Sequence, residues 1–142
     1  MPEFTILITD WARDEARLSS IRRAVFIDEQ GVPEDLEWDA DDAGAMHLLA
    51  LDGAGQAIGC ARLLPDGHIG RMAVLPARRG RGVGRALLAT AVEAARLHGH
   101  TMLHLSAQTH AADFYARAGF VAIGAEYEEA GIPHIAMQKR LP

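Results

Sequence analysis

Cysteine occurs once in these 142 residues, as Cys60, and lysine once, as Lys139. One thiol excludes an intramolecular disulfide and any site built from several cysteines, such as an iron-sulfur cluster. Seven histidines leave a histidine-based metal site as the remaining option. Aromatic residues are scarce at 6%, and no run approaches the ~18 uncharged apolar residues of a membrane span. The start, Met1 to Asp10, has neither the basic segment nor the apolar stretch of a signal peptide, so a cytoplasmic protein without membrane contact is expected. Basic charge is short as well: 14 Lys and Arg against 19 Asp and Glu leave a net charge of -5, which argues against a nucleic-acid partner. The remainder, 49% apolar and 23% charged, is the balance of a globular protein, and residues 1–142 are read as a single domain.

The charge is unevenly placed. From Ala24 to Ala61 there is neither Lys nor Arg, while Asp28, Glu29, Glu34, Asp35, Glu37, Asp39, Asp41, Asp42 and Asp52 all fall there. From Arg62 to Arg85 the balance inverts, with Arg62, Arg71, Arg78, Arg79, Arg81 and Arg85 against Asp66 alone. A charge run without a motif is read as a solvated face. The basic run contains a motif.

Phe4 to Thr9 alternates apolar and polar residues of β type, and Asp10 is placed to cap a helix with the apolar stripe Leu18, Ile21 and Val25. That helix is expected to stop near Gln30, before Gly31 and Pro33, and to give way to an acidic loop. Met46 to Leu51, Gln56 to Leu64 and His68 to Leu75 are apolar runs separated by turns containing Asp-Gly, which predicts an antiparallel meander. Val83 to His98 carries Val83, Leu87, Ala91 and Ala94 in helical phase. A strand over Thr101 to Ser106, a helix from Thr109 through Ala118, and strands over Phe120 to Ile123 and His134 to Gln138 complete the order β-α-βββ-α-β-α-ββ. A strand, a helix and a further strand imply a crossover, so the fold class is α/β (α+β) with a mixed sheet.

Gly80, Gly82 and Gly84 lie between a strand and the strongest helix, where unpaired N–H groups and the positive helix end favour an anion. A P-loop is excluded because no lysine precedes Lys139. The dinucleotide fingerprint fails too, since either reading of the glycines puts Arg85 or Leu87 where its third glycine belongs. A phosphate-binding loop of another kind remains.

The run Arg79-Gly80-Arg81-Gly82-Val83-Gly84 matches Arg/Gln-x-x-Gly-x-Gly/Ala and resembles the acyl-CoA loop of the Gcn5-related N-acetyltransferases. Downstream, Gln108-Thr-His-Ala-Ala-Asp-Phe114-Tyr115-Ala-Arg-Ala-Gly119-Phe120 is similar to that family's Asn-x-x-Ala-x-x-Phe-Tyr-x-x-x-Gly-Phe, with Gln108 in place of Asn. The segments Val25 to Gln30, Ile69 to Val74, Ala107 to His110 and Tyr127 to His134 resemble the ElaA/YjcF-like branch. The resemblance covers essentially the whole chain. It implies a single-domain acyl-CoA N-acyltransferase fold, with a mostly antiparallel central sheet flanked by helices, and acetyl-CoA as co-substrate without a metal. The backbone of Arg79, Gly80, Arg81, Gly82, Val83, Gly84 and Arg85 would take the pyrophosphate. Met72, Ala73 and Val74, on a strand that parts from its neighbour in the family, would pair with the pantetheine arm and the acyl carbonyl; Gln108 joins this set. Tyr115 corresponds to the general acid that protonates the CoA thiolate; its bland alternative is a core aromatic with a satisfied hydroxyl.

An amine must lose a proton before it attacks, yet Gly70, Arg71 and Met72 offer no carboxylate where some relatives carry one. Glu29 is the first candidate for the base: it lies four residues after Val25, in phase with the apolar stripe, where desolvation would raise its pKa. His134, His47 and Glu128 come second, and with Gln30 they make the expected acceptor site. The acidic stretch from Asp28 to Asp42 would border that site and draw in a cationic amine, either a small molecule or a lysine side chain. His98, His100 and His104 straddle a helix end and do not form a two-ligand helix face, so no metal is expected. Cys60 reads as a small core residue. A non-catalytic acyl-CoA-binding module is the alternative, and the final hairpin with an edge strand offers a surface for a homodimer.

Overall fold

A computed structural model describes residues 3–142; the first two residues of the expected domain lie outside the described residues. The chain begins with β1 (Phe4–Thr9) and α1 (Trp11–Arg22). Asp10 caps α1 through its side chain, which accepts the Arg13 N–H at 2.9 Å. The helix does not end as an α-helix. Its last seven residues, Arg23–Glu29, form a π-helical turn in which the Gln30 N–H reaches back five residues to the Val25 carbonyl.

The expected acidic loop is instead partly helical, with α2 (Glu34–Glu37) and a 3-10 turn at Ala40–Gly44. The meander forms as expected: β2 (Met46–Asp52), β3 (Ala57–Leu63) and β4 (Ile69–Val74). Then come α3 (Val83–Leu97), β5 (Met102–Gln108), α4 (Ala112–Arg117), β6 (Val121–Glu129) and β7 (Ile132–Arg140). The last two strands are longer than the alternation predicts. Their turn places both Ala130 (φ 52°) and Gly131 (φ 76°) in the left-handed region, and a bulge between Ile123 and Tyr127 breaks the period of two.

Strands β1-β2-β3-β4 form one antiparallel sheet and β5-β7-β6 another. The two meet at a single parallel bridge between His68 and His104, and this makes the whole arrangement mixed. Beyond the bridge β4 and β5 part. Helices cover both faces of the first sheet: Leu18, Ile21 and Val25 pack on Leu49, Cys60 and Ala73, while α3 sets Val83, Leu87 and Ala91 against Leu48, Ala50 and Ile58. Gly59 permits that approach, because a Cβ there would stand 3.0 Å from the Ala73 carbonyl and 3.1 Å from Leu87. Among the described residues no helix is long and apolar enough to cross a membrane.

Candidate active site

The loop before α3 gives the site its anion-binding character. Gly80 (φ 78°) and Gly82 (φ 84°) both sit in the left-handed region, with Gly82 the residue that precedes α3. The first helical hydrogen bond runs from the Ala86 N–H to the Gly82 carbonyl, so the N–H groups of Val83, Gly84 and Arg85 have no acceptor within the helix. A cleft of about 460 Å³ opens there, lined by Val74, Arg78, Arg79, the three loop glycines, Val83, Arg85 and Phe114. Such donors beside the positive end of a 15-residue helix suit a phosphate group. Arg78 bonds Asp52 at 3.0 Å. Arg79 is bound more fully. Its Nη1 and Nη2 donate to the two carboxylate oxygens of Glu29 at 2.7 and 2.6 Å, and its Nε to the Val74 carbonyl at 3.0 Å.

The cleft adjoins Val74, and therefore the end of β4 that has parted from β5. Arg71, one residue before Met72, has φ 47°, and the β3–β4 register shifts beside it. This bulge turns the strand just before the residues expected to meet the acyl arm. Tyr115 reaches across from α4. Its hydroxyl lies 3.8 Å from the Met72 sulfur, and its ring packs edge-on against Phe114 and Phe120 at 5.1 and 6.1 Å between centroids. Burial pushes the phenol up to about 12, so it stays protonated through the neutral range.

Gln30, Gln108 and His134 come together at the open end of β5. Gln108 Nε2 donates to Gln30 Oε1 at 2.8 Å, its Oε1 accepts from His110 Nε2 at 2.7 Å, and it is registered opposite His134. His134 is only 6% exposed; its Nδ1 donates to the Ile132 carbonyl at 2.7 Å, and Nε2 lies 3.7 Å from a Glu129 oxygen. Tyr127 stacks on it at 6.1 Å and shares a hydrogen bond with the Ser106 hydroxyl.

Three expectations need correction. Glu29 does not turn into the protein. Its carboxylate lies at the surface on Arg79, whose hydrogen bond holds its pKa below the ordinary value instead of letting burial raise it. His47 is 1% exposed, donates to the Asp42 carbonyl at 2.9 Å and packs on Trp11, so it is a structural residue with its pKa lowered by burial. Glu128 faces away from His134, because neighbouring Tyr127 is the residue registered opposite that histidine and successive strand residues alternate faces.

The acidic stretch is also largely spent internally. Arg22, 1% exposed and between the rings of Trp11 and Trp38, binds Glu37 at 2.9 Å and Asp42 at 2.7 Å. Arg62 takes Asp39 and Asp42, and Arg71 takes Glu37 and Asp39. The sequence reading missed this set and Phe114 in the cleft wall. The signal for the first was the pairing of a stretch devoid of Arg with an Arg-rich one, but nothing in the spacing says which charges meet. His98 closes the end of α3, its Nδ1 donating to the Ala94 carbonyl at 2.8 Å. Cys60 is a core residue as expected, 1% exposed, and burial pushes its thiol up to about 12.

Comparison with known proteins agrees with this geometry. The acetyltransferase (GNAT) domain family matches residues 9–141. The uncharacterized N-acetyltransferase YjcF of Bacillus subtilis is 33% identical over 135 residues, covering 90% of this chain and 96% of its own. The crystal structure of Escherichia coli ElaA superposes with a TM-score of 0.84 at 32% identity, over 99% of this chain and 100% of that one. An acyl-CoA N-acyltransferase from Pseudomonas aeruginosa superposes with a TM-score of 0.85 at 36% identity, over 96% and 99%. A glycine loop ahead of α3, a parted strand pair beside it and these likenesses lead to one conclusion: the chain is an acyltransferase and belongs to the GNAT acetyltransferase family.

Proposed function

We propose that this acetyltransferase passes the acetyl group of acetyl-CoA directly to a primary amine, on a small molecule or a lysine side chain. The observation that carries the reading is the continuity of the phosphate cleft with the gap between β4 and β5 at Val74. One extended donor can set its pyrophosphate on the N–H groups from Arg79 to Arg85 and lay its acyl arm along Met72, Ala73 and Val74. In the transfer the amine nitrogen bonds to the thioester carbon, the carbon-sulfur bond breaks, and the thiolate takes the Tyr115 proton. A backbone N–H of β4 aimed at the carbonyl oxygen stabilises the charge that develops there.

The base needs a new assignment, because Glu29 is held by Arg79. We assign it to His134: with Nδ1 donating to Ile132, its neutral form keeps the lone pair on Nε2, where an ammonium proton can go. Gln30 and Gln108, joined across the mouth of the gap, would orient the acceptor.

Calorimetric titration tests the donor half. Acetyl-CoA should bind saturably at one site and ATP much more weakly; no binding by the folded protein would overturn the proposal. A second reading, a binding module without turnover, draws on the absence of a free carboxylate around β4 among the described residues. It predicts acetyl-CoA binding with no acetylated product from any amine.

A further inference from the structure

The bond between Glu29 and Arg79 stands inside the donor site. Arg79 lines the phosphate cleft, yet both ends of its guanidinium fork and its Nε are committed, to the Glu29 carboxylate and the Val74 carbonyl. A carboxylate at this point opposes the phosphates that the loop is built to hold. The pair is also weakly protected, with side chains 43% and 38% exposed. An exposed pair of this kind biases an equilibrium by about fivefold or less. A doubly charged pyrophosphate at the loop competes for the same fork on favourable terms.

Glu29 matters for what happens next. Glu37, Asp39 and Asp42 are each bound to buried or half-buried arginines, which fixes their charge within the fold. Glu29 differs in that its partner belongs to the donor site. The next residue, Gln30, is bonded to Gln108 at the mouth of the gap, so Glu29 stands beside the route by which an acceptor would enter.

Building on the acyl-CoA reading, we infer that Arg79 is handed from Glu29 to the donor's phosphates, and that the released carboxylate then attracts the cationic amine. The acceptor site thus gains its negative charge only after the donor is seated. Glu29 is a positioning residue here, while the proton goes elsewhere.

Calorimetry with acetyl-CoA on wild type, Glu29→Gln, Arg79→Gln and the double variant, each checked for folding by circular dichroism, tests the hand-over. Removing the competitor should tighten binding about two- to fivefold. Arg79→Gln should weaken it, and Glu29→Gln should give no gain in the Arg79→Gln background. Equal or weaker binding by folded Glu29→Gln, or a gain that survives without Arg79, overturns the inference while leaving the donor site intact. Failure of wild type itself to bind takes down the acyl-CoA reading and the inference with it. A second readout needs no variant. Arg79 holds the Glu29 carboxyl below its ordinary pKa in the free protein, and carbon-detected NMR should show that titration move upward on saturation with acetyl-CoA. A titration that stays in place assigns the pair a structural role only and overturns the hand-over.

Discussion

Tyr115 has two aromatic neighbours for its ring and one sulfur for its hydroxyl, so its packing and its proposed proton donation draw on different atoms. Replacement separates the two. Tyr115→Phe keeps the ring contacts, so thermal stability should barely change, while kcat with any amine that wild type accepts should fall about 10²-fold or more. His134→Ala should show a similar loss with acetyl-CoA binding retained; product formation followed by mass spectrometry reads both. An undiminished kcat in either variant removes that residue from the proton pathway. Tyr115 was legible in the sequence because its surroundings are local, Phe114 beside it and Phe120 five residues on. Glu29 was not, because its carboxylate is held by Arg79, 50 positions further along the chain, and no local pattern announces that partner.

At the scale of elements, the helix α3 and its loop act together. Gly82 has φ 84° with open space around it, so a side chain there is strained by the backbone alone. Gly84 is the converse: an added Cβ would rest against the Phe114 ring at 3.5 Å, an ordinary contact, with no unusual φ. Gly82→Ala should therefore lower stability by about 1–2 kcal/mol and loosen acetyl-CoA about tenfold, since the loop must shift its N–H groups to relieve the strain. Gly84→Ala should stay close to wild type. Thermal melts and titration of both variants make the comparison, and equal behaviour would show that the loop conformation is not required. The periodic elements were legible from pattern alone, β2 to β4 and α3 above all. The β6–β7 hairpin was cut short, because Ala130 gives no turn signal and Gly124, in the bulge, falls where alternation should continue.

Across the whole molecule, the buried arginines tie α1, α2 and the first sheet into one charged layer. Burial pushes the Asp42 carboxyl up, but the hydrogen bonds and charges of Arg22 and Arg62 outweigh it and leave the pKa lowered. A lowered carboxyl stabilises the fold fully above its unfolded value of 3.8, and that stability is lost as the pH falls through the folded value. Glu37 has the opposite sign. Burial raises it despite Arg71 and Arg22, so the folded form gains relative stability as the pH drops through its raised value. Asp42→Asn should cost about 2–3 kcal/mol at neutral pH, because it takes one carboxylate from each of two buried arginines and leaves them only Glu37 and Asp39. Glu37 is common to both proteins, so the difference should narrow as the pH falls below 3.8 and on through Asp42's lowered folded value, where that carboxyl itself becomes neutral. Urea denaturation across that range checks this, and a difference independent of pH would mean that the carboxylate's charge is not what holds the layer.

What the sequence by itself determined is the chemistry carried by contiguous residues. The loop glycines directly precede their helix, and Tyr115 directly follows Phe114, so spacing within each of these two segments conveys what lies beside what. Only the tertiary structure decided which charges neutralise which. Arg79 meets Glu29 across 50 positions, Arg71 meets Asp39 across 32 and Gln108 meets Gln30 across 78. Such pairings arise from how strands register and where a helix turn widens, which are properties of the packed chain. For that reason the glycine loop ahead of α3 could be read from the sequence, while the state of Glu29 became visible only in the fold.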